Sequence, residues 1–262
     1  MGSCVISAEE RLPGFAPMAS ALAVSFGLDR PTAAVQARHC WGIFGKDLDE
    51  PAAAAMIAKC AVFGIAAVKL PFAQPPRLPA PVIIKKIIFE NGNFAWQGSA
   101  GEAGTAAAAE IQALAAAPLK EETLVITKTT EGPSGAEKAI RFGIMSVTGL
   151  PIGLGKSREV KKEVKGTELT FYLDILLRAE SRRLRLSPSD FDFSCLKDKK
   201  TYSSHTNFRL LALELAAFAP GALKNTCLWA MRENKPLAGL PYDSMEDFET
   251  ETSRLAVLGN VK

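Results

Sequence analysis

From Thr167 to Phe193 the chain reads TELTFYLDILLRAESRRLRLSPSDFDF. Leu169, Phe171, Leu173, Ile175 and Leu177 share one parity, and Leu184 and Leu186 alternate with Arg183, Arg185 and Ser187. Successive side chains leave a strand on opposite sides, so an apolar residue at every second position marks a strand with one face on a core. Two such runs around the polar Ala179–Ser181 predict an antiparallel hairpin in the centre of a sheet. Leu184 and Leu186 then point to the core. Arg183 and Arg185 are expected to face outward on the opposite side, with Arg178 and Arg182 flanking the turn.

Charge supports a basic surface near this hairpin. Residues 128–200 hold 15 Lys and Arg against 10 Asp and Glu, whereas residues 1–127 hold 10 against 11. The candidate ligand-binding residues are therefore Arg178, Arg182, Arg183 and Arg185, with Lys161, Lys162 and Lys165 from the stretch before the hairpin. A nine-residue strand is about 30 Å long and the Debye length is about 8 Å at physiological salt. The lysines and arginines are thus expected to act as two separate patches.

Working outward, Gly149–Lys165 is polar and basic and reads as a loop. Arg141–Thr148, Leu124–Thr129 and Val82–Phe89 read as strands, with Asn91-Gly92 a hairpin turn into Asn93–Gln97. Trp96 is expected to pack in the sheet. The alanine-rich Thr105–Ala117 reads as a helix. After Phe193 the period becomes helical: Asn207 to Phe218 with a stripe of Phe208, Leu211 and Leu215, then Leu223–Met231, then a last helix capped by Ser244 with Asp247 as its capping-box acid.

The N-terminal 70 residues repeat none of this. Cys4–Ser7 begins as a strand, Phe15–Phe26 is a helix stopped by Gly27, and Thr32–His39 is a second helix behind Pro31. Trp41–Gly45 is a strand, Asp49 caps a third helix to about Phe63, and Ile65–Leu70 closes. The predicted class is α+β: a small βααβαβ domain over residues 1–70 and a larger β-sheet domain over 82–262 closed by C-terminal helices. Between them LPFAQPPRLPAP holds backbone extended by its prolines, so 71–81 reads as a linker.

The βααβαβ order and the closing FGIAAVKL resemble the C-terminal domain of ribosomal protein L7/L12 and the related ClpS adaptor fold, over about a quarter of the chain. That resemblance implies an adaptor that meets a protein partner. His39 ends the second helix as a binding histidine does in ClpS. Ala8, Glu9 and Glu10 stand where ClpS has its Asn-Asp pair. The remainder resembles pleckstrin-homology-like modules and, in ILLR…RRLRLSPSDFDFSCL and NFRLLALELAAFAPGA, a family of bacterial proteins with no assigned activity. Such modules imply binding of protein or lipid headgroups.

Motifs of known chemistry fail on spacing. GLPIGLGKS at 149–157 ends like a phosphate loop, but Gly149 stands one residue too early for the four residues that loop needs before Gly-Lys-Ser. His39 and His205, the two histidines of the chain, have no second ligand at i+3 or i+4, so neither a metal site nor a cofactor is read. The five cysteines include no close pair, which fits a reducing cytoplasm. Aromatics do not interleave with the basic residues, which argues against nucleic acid. The apolar Ala52–Val68 is interrupted by Lys59 and falls short of a membrane span.

The sequence thus points to a non-enzymatic cytoplasmic adaptor or scaffold for a protein partner. The alternatives are a peripheral binder of anionic lipid through the two basic clusters, and an enzyme of unfamiliar type using His205, Asp190 or Asp192.

Overall fold

A computed structural model describes residues 2–90, 92–131, 158–178, 182–235 and 242–261; of the side chains at 120–131 and 158–168 nothing is described. Met1–Leu119 with Leu169–Lys262 form one compact unit, and Lys120–Glu168 form a second. The described part of the second unit is strand alone: the end of β7 (Ile111–Glu131) and the start of β8 (Arg158–Leu177). The loop expected over 149–165 is therefore strand from Arg158 on, and the strand expected at 141–148 lies outside the described residues.

The first 70 residues fold as β1 (Ser3–Ser7), α1 (Phe15–Phe26), α2 (Arg30–His39), β2 (Ile43–Leu48), α3 (Glu50–Val62) and β3 (Ala67–Leu70). Asp29 and Asp49 cap α2 and α3 through Thr32 and Ala52 amides, and Gly27 ends α1 at φ 65°. The sheet order is β2-β1-β3, antiparallel throughout. All five residues of β1 are buried. A central strand buried throughout needs cover on both faces. On one side Val5 packs with Met18, Leu22, Met56 and Cys60 of the helices.

The other face is covered by the far end of the chain. The larger sheet adds β4 (Val82–Glu90), β5 (Asn93–Gly98), β6 (Ala103–Ala107), β9 (Arg183–Leu186) and β10 (Leu223–Lys224) to β7 and β8. Its order is β10-β7-β8-β9-β4-β5-β6, an open sheet of mixed direction. The helices are α4 (Ser204–Phe218), α5 (Thr226–Arg232) and α6 (Met245–Val261). The hairpin forms, with Leu173 opposite Leu186 and Ile175 opposite Leu184, but its second strand ends at Leu186 and does not run on to Phe193. Phe171, Leu173, Ile175, Leu184 and Leu186 share a core with Phe208, Leu211 and Leu215 of α4.

α6 fills the space between the two sheets. Leu255, Val257 and Leu258 pack with Cys4 and Ile6 of the small sheet and with Ala113 and Leu176 of the large one. The cores on either side of 71–81 are thereby joined. The segment itself lies against the joint: Ser253 donates to the Pro76 carbonyl at 2.8 Å, and Phe72 and Leu78 pack on the same cluster. Two modules with few contacts across the linker were expected. A C-terminal helix shared by both sheets cannot be read from linker composition.

The helix expected at Thr105–Ala117 is instead β6, a 3-10 turn at Ala108–Glu110, and β7. Alanine favours helix when nothing else decides. Here Ala113, Ala115, Ala116 and Ala117 are fully buried in a strand between β10 and β8, and short side chains let a helix pass close. Gly259 of α6 is so near that a Cβ there would meet Gln112 at 2.8 Å. Gln112 fastens the contact by donating to the Ala256 carbonyl at 2.9 Å and to Asn260 at 2.6 Å. The second C-terminal helix also starts later than read, at Thr226 behind an Asn225 cap. Ser203, not Asn207, caps α4.

Candidate functional site at the end of α2

Of the basic hairpin, Arg178 is exposed and Arg182 half-buried, but Arg183 and Arg185 are not on the surface. Leu184 and Leu186 do face the core, but α6 covers the opposite face. Arg183 and Arg185 are 2% and 8% exposed, around a fully buried Asp174. Arg183 Nε donates to Asp174 Oδ2 at 2.7 Å, and Arg185 Nε to Oδ1 at 2.7 Å. Glu249 of α6 takes Arg183 at 2.9 Å and Arg185 at 3.4 Å. These arginines join helix to sheet. Arg178 donates to the Gly259 carbonyl at 3.1 Å, and Arg182 stacks over Trp96 at 5.4 Å. Lys161, Lys162 and Lys165 lie in β8, where their side chains are outside the described residues.

The candidate catalytic groups His205, Asp190 and Asp192 share no hydrogen bond or ion pair among the described residues. His205 lies against the Phe171 ring at 4.8 Å, tilted by 52°, and Asp192 caps the 3-10 turn at Ser194. Burial pushes Cys4, Cys60 and Cys195 up to about 11 and raises Cys40 and Cys227 as well. All five thiols are therefore protonated at neutral pH and poor nucleophiles.

Polar chemistry gathers instead where α2 ends. The chain leaves α2 through Trp41 at φ 49° and Gly42 at φ 77°. A left-handed tryptophan costs about 1–2 kcal/mol, so its surroundings must hold it. Its ring stacks on Tyr242 at 4.6 Å, 17° from parallel, and its indole N–H donates to Asp247 Oδ1 at 2.7 Å. Gly42 has no alternative, since a Cβ there would meet Leu12 at 2.8 Å and Arg254 at 2.9 Å. His39 Nδ1 lies 3.2 Å from the same Asp247 oxygen, and Arg38 pairs with Asp243 at 3.2 Å.

Behind Trp41 runs a buried polar chain. Asn225 bonds the backbone of Ala116 in β7 and donates to the Tyr242 hydroxyl at 2.7 Å. Tyr242 donates to Glu251, which also accepts from Thr226 Oγ1 at 2.7 Å. Arg254, fully buried, donates to the carbonyls of Glu9 and Glu10 at 2.7 and 2.9 Å. Desolvation, helped by the Glu251 charge, holds the Tyr242 pKa well above its ordinary value. Apart from Arg254 Nε, which is buried without a hydrogen-bond partner, these polar groups are bonded to one another and to the backbone, which favours one geometry, so the site rests on a rigid frame.

In front of Trp41 is an apolar groove of about 510 Å³ between the start of α1 and α5, with Leu12, Phe15, Met18, Trp41 and Trp229 on its walls. Phe15 is 52% exposed. Arg11 lies over the Trp229 ring at 4.0 Å. Glu233 is shared by Arg11 at 2.5 Å and Lys235 at 2.6 Å, and hydrogen bonds from these two hold its carboxyl below the usual range. A second groove of about 690 Å³ joins Lys86, Phe89, Cys195, Lys197 and Phe218.

Nothing local in the chain marks Arg11, Trp41, Trp229 and Asp247 as neighbours, since Trp41 and Asp247 alone stand more than 200 residues apart. The one local signal is Trp-Gly just past the Cys40 cap of a helix ending in histidine. No family model, curated protein or solved structure matches this chain. Among the described residues no helix is long and apolar enough to cross a membrane.

Proposed function

We propose that the chain is a non-enzymatic adaptor that holds a protein partner by a short peptide segment seated in the groove between Phe15 and Trp229. The composition of that groove carries the reading. Tryptophan, phenylalanine, methionine and arginine are the residues that dominate binding energy at protein interfaces, and here they line one concave surface. Arg11 and Lys235 share a single carboxylate, which leaves one positive charge for the ligand. The segment that fits has a large apolar residue beside an acidic one.

Selection of displayed random peptides on the immobilised full chain tests this. Enriched peptides should carry an apolar residue next to Asp or Glu. They should lose about thirtyfold in affinity on Trp229→Ala, the effect of removing an aromatic anchor worth about 2 kcal/mol. Selected peptides that bind Trp229→Ala as well as the parent would end this reading.

The second groove favours the alternative of an anionic amphiphile. Lys86 and Lys197 line it with Phe89 and Phe218, without a salt bridge among the described residues, while Lys199 there pairs with Glu214 and Asp198 also faces it. Binding of vesicles rich in anionic lipid that persists at about 0.5 M salt, and is lost on Lys86→Ala, would put that reading first.

A further inference from the structure

We propose that His39, Asp243 and Asp247 form a site for one divalent first-row transition-metal ion of the zinc class. Their donor atoms lie within 4.8 Å of one another, although they come from the end of α2, the segment before α6 and the first turn of α6. An ion held at about 2.1 Å by imidazole nitrogen and carboxylate oxygen brings tetrahedral ligands to about 3.4 Å apart. His39 Nδ1 and Asp247 Oδ1 already stand at 3.2 Å. The ion takes the place of the proton between them, and Asp243 closes in as the third ligand.

The three side chains differ in freedom, and in the sense a metal site needs. Asp247 is 11% exposed and its Oδ1 is held by the Trp41 indole at 2.7 Å. An outer-shell donor of this kind fixes the orientation of a ligating carboxylate. His39 and Asp243 are 46% and 53% exposed, so each is free to swing the remaining distance. The groove here measures about 810 Å³, which leaves room for water at the other positions. Besides Arg38, the charged groups facing it are Lys46 and Glu246. With neutral His39, three carboxylates then face two cations, and a divalent ion corrects the imbalance. One imidazole with two carboxylates suits zinc, manganese or ferrous iron over calcium or magnesium, which prefer oxygen alone.

Arg38 is the competitor, because it holds Asp243 at 3.2 Å. That gives the test a sign that damage to the fold does not imitate. The full chain, stripped of metal, is titrated with zinc chloride against a chromophoric chelator. The expected result is one zinc per chain. His39→Ala and Asp243→Asn, both at exposed positions, should each weaken binding by at least about tenfold, while Arg38→Ala should tighten it. Zinc affinity unchanged in His39→Ala would overturn the site, as would the absence of zinc binding in the parent. Arg38→Ala binding no more tightly than the parent would overturn the place given to Asp243. The proposal stands apart from the peptide groove, since Trp229→Ala should leave zinc affinity unchanged.

Discussion

Arg183 and Arg185 on β9 and Arg11 and Arg38 around Trp41 are the same residue type in opposite situations. The first pair is 2% and 8% exposed and shares a fully buried carboxylate. The second pair has side chains 54% and 56% exposed, each beside a solvated partner. Both pairs are salt-bridged, so pairing does not separate them. What separates them is α6, which buries the β9 arginines and leaves Arg11 and Arg38 at the surface. Arginine under a helix is committed to that helix, because freeing it would leave a buried charge without compensation. Arginine at a rim loses little by exchanging Glu233 or Asp243 for a ligand.

The sharpest way to break this contrast is Asp174→Ala. It leaves two guanidinium groups under α6 with only Glu249, which is 42% exposed. Removing one member of a buried ion pair costs about 3–5 kcal/mol, to be read from urea denaturation. A loss below about 1 kcal/mol would mean that the β9 arginines are solvated after all. The next effect in size tests the alanine strand. Ala115→Leu in β7 should cost about 1–3 kcal/mol by overpacking, since Ala115 is fully buried. An exposed alanine-rich helix would tolerate the same change.

Much of this was legible in advance, and the failures share a cause. The βααβαβ order, the hairpin and the Ser244 cap of α6, where the Asp247 amide donates to Ser244 Oγ at 3.1 Å, all follow from period and capping within a few residues. Parity placed Leu184 and Leu186 on the core correctly. It is silent on a helix more than 60 residues later that meets Arg183 and Arg185, and without such cover an alternating strand is half-solvated. Ala113–Ala117 went wrong for the same reason, because cover on both faces overrides helix propensity. The prolines at 71–81 do mark a stretch without helix or strand. They say nothing of α6 bridging the cores on either side. The site at the end of α2 was invisible, since its parts lie in segments related only by the fold.

The frame behind Trp41 predicts a pH dependence of intermediate size. Tyr242 holds its proton well above the ordinary tyrosine value. In the unfolded chain it ionises near 10. Above that pH the unfolded state binds fewer protons than the folded one, so stability falls as pH rises. One such group contributes about 1.4 kcal/mol per pH unit. Chemical denaturation from pH 9 to about 11 should show a shallower decline for Tyr242→Phe than for the parent. Parallel slopes would mean that Tyr242 ionises freely, and the rigid frame beneath the groove would be lost with it.

The smallest expected effect on stability is the most informative about function. Arg11 lies on the Trp229 ring at 4.0 Å and on Glu233 at 2.5 Å, both at the surface. Exposed ion pairs contribute little, because water screens the charges and two long side chains must be ordered. Arg11→Ala should therefore move the melting temperature by no more than about 2–4 °C. Peptides selected on the groove should nonetheless bind Arg11→Ala more weakly, and the loss should shrink as salt rises, since the lost contact is a solvated charge. Asp174→Ala should behave in the reverse way, with a large fall in stability and, at temperatures where it is folded, unchanged peptide affinity. If Arg11→Ala instead unfolds the chain while peptide affinity holds, the roles given to the two pairs of arginines are exchanged. The groove would then be a seam of the fold rather than a surface for a partner.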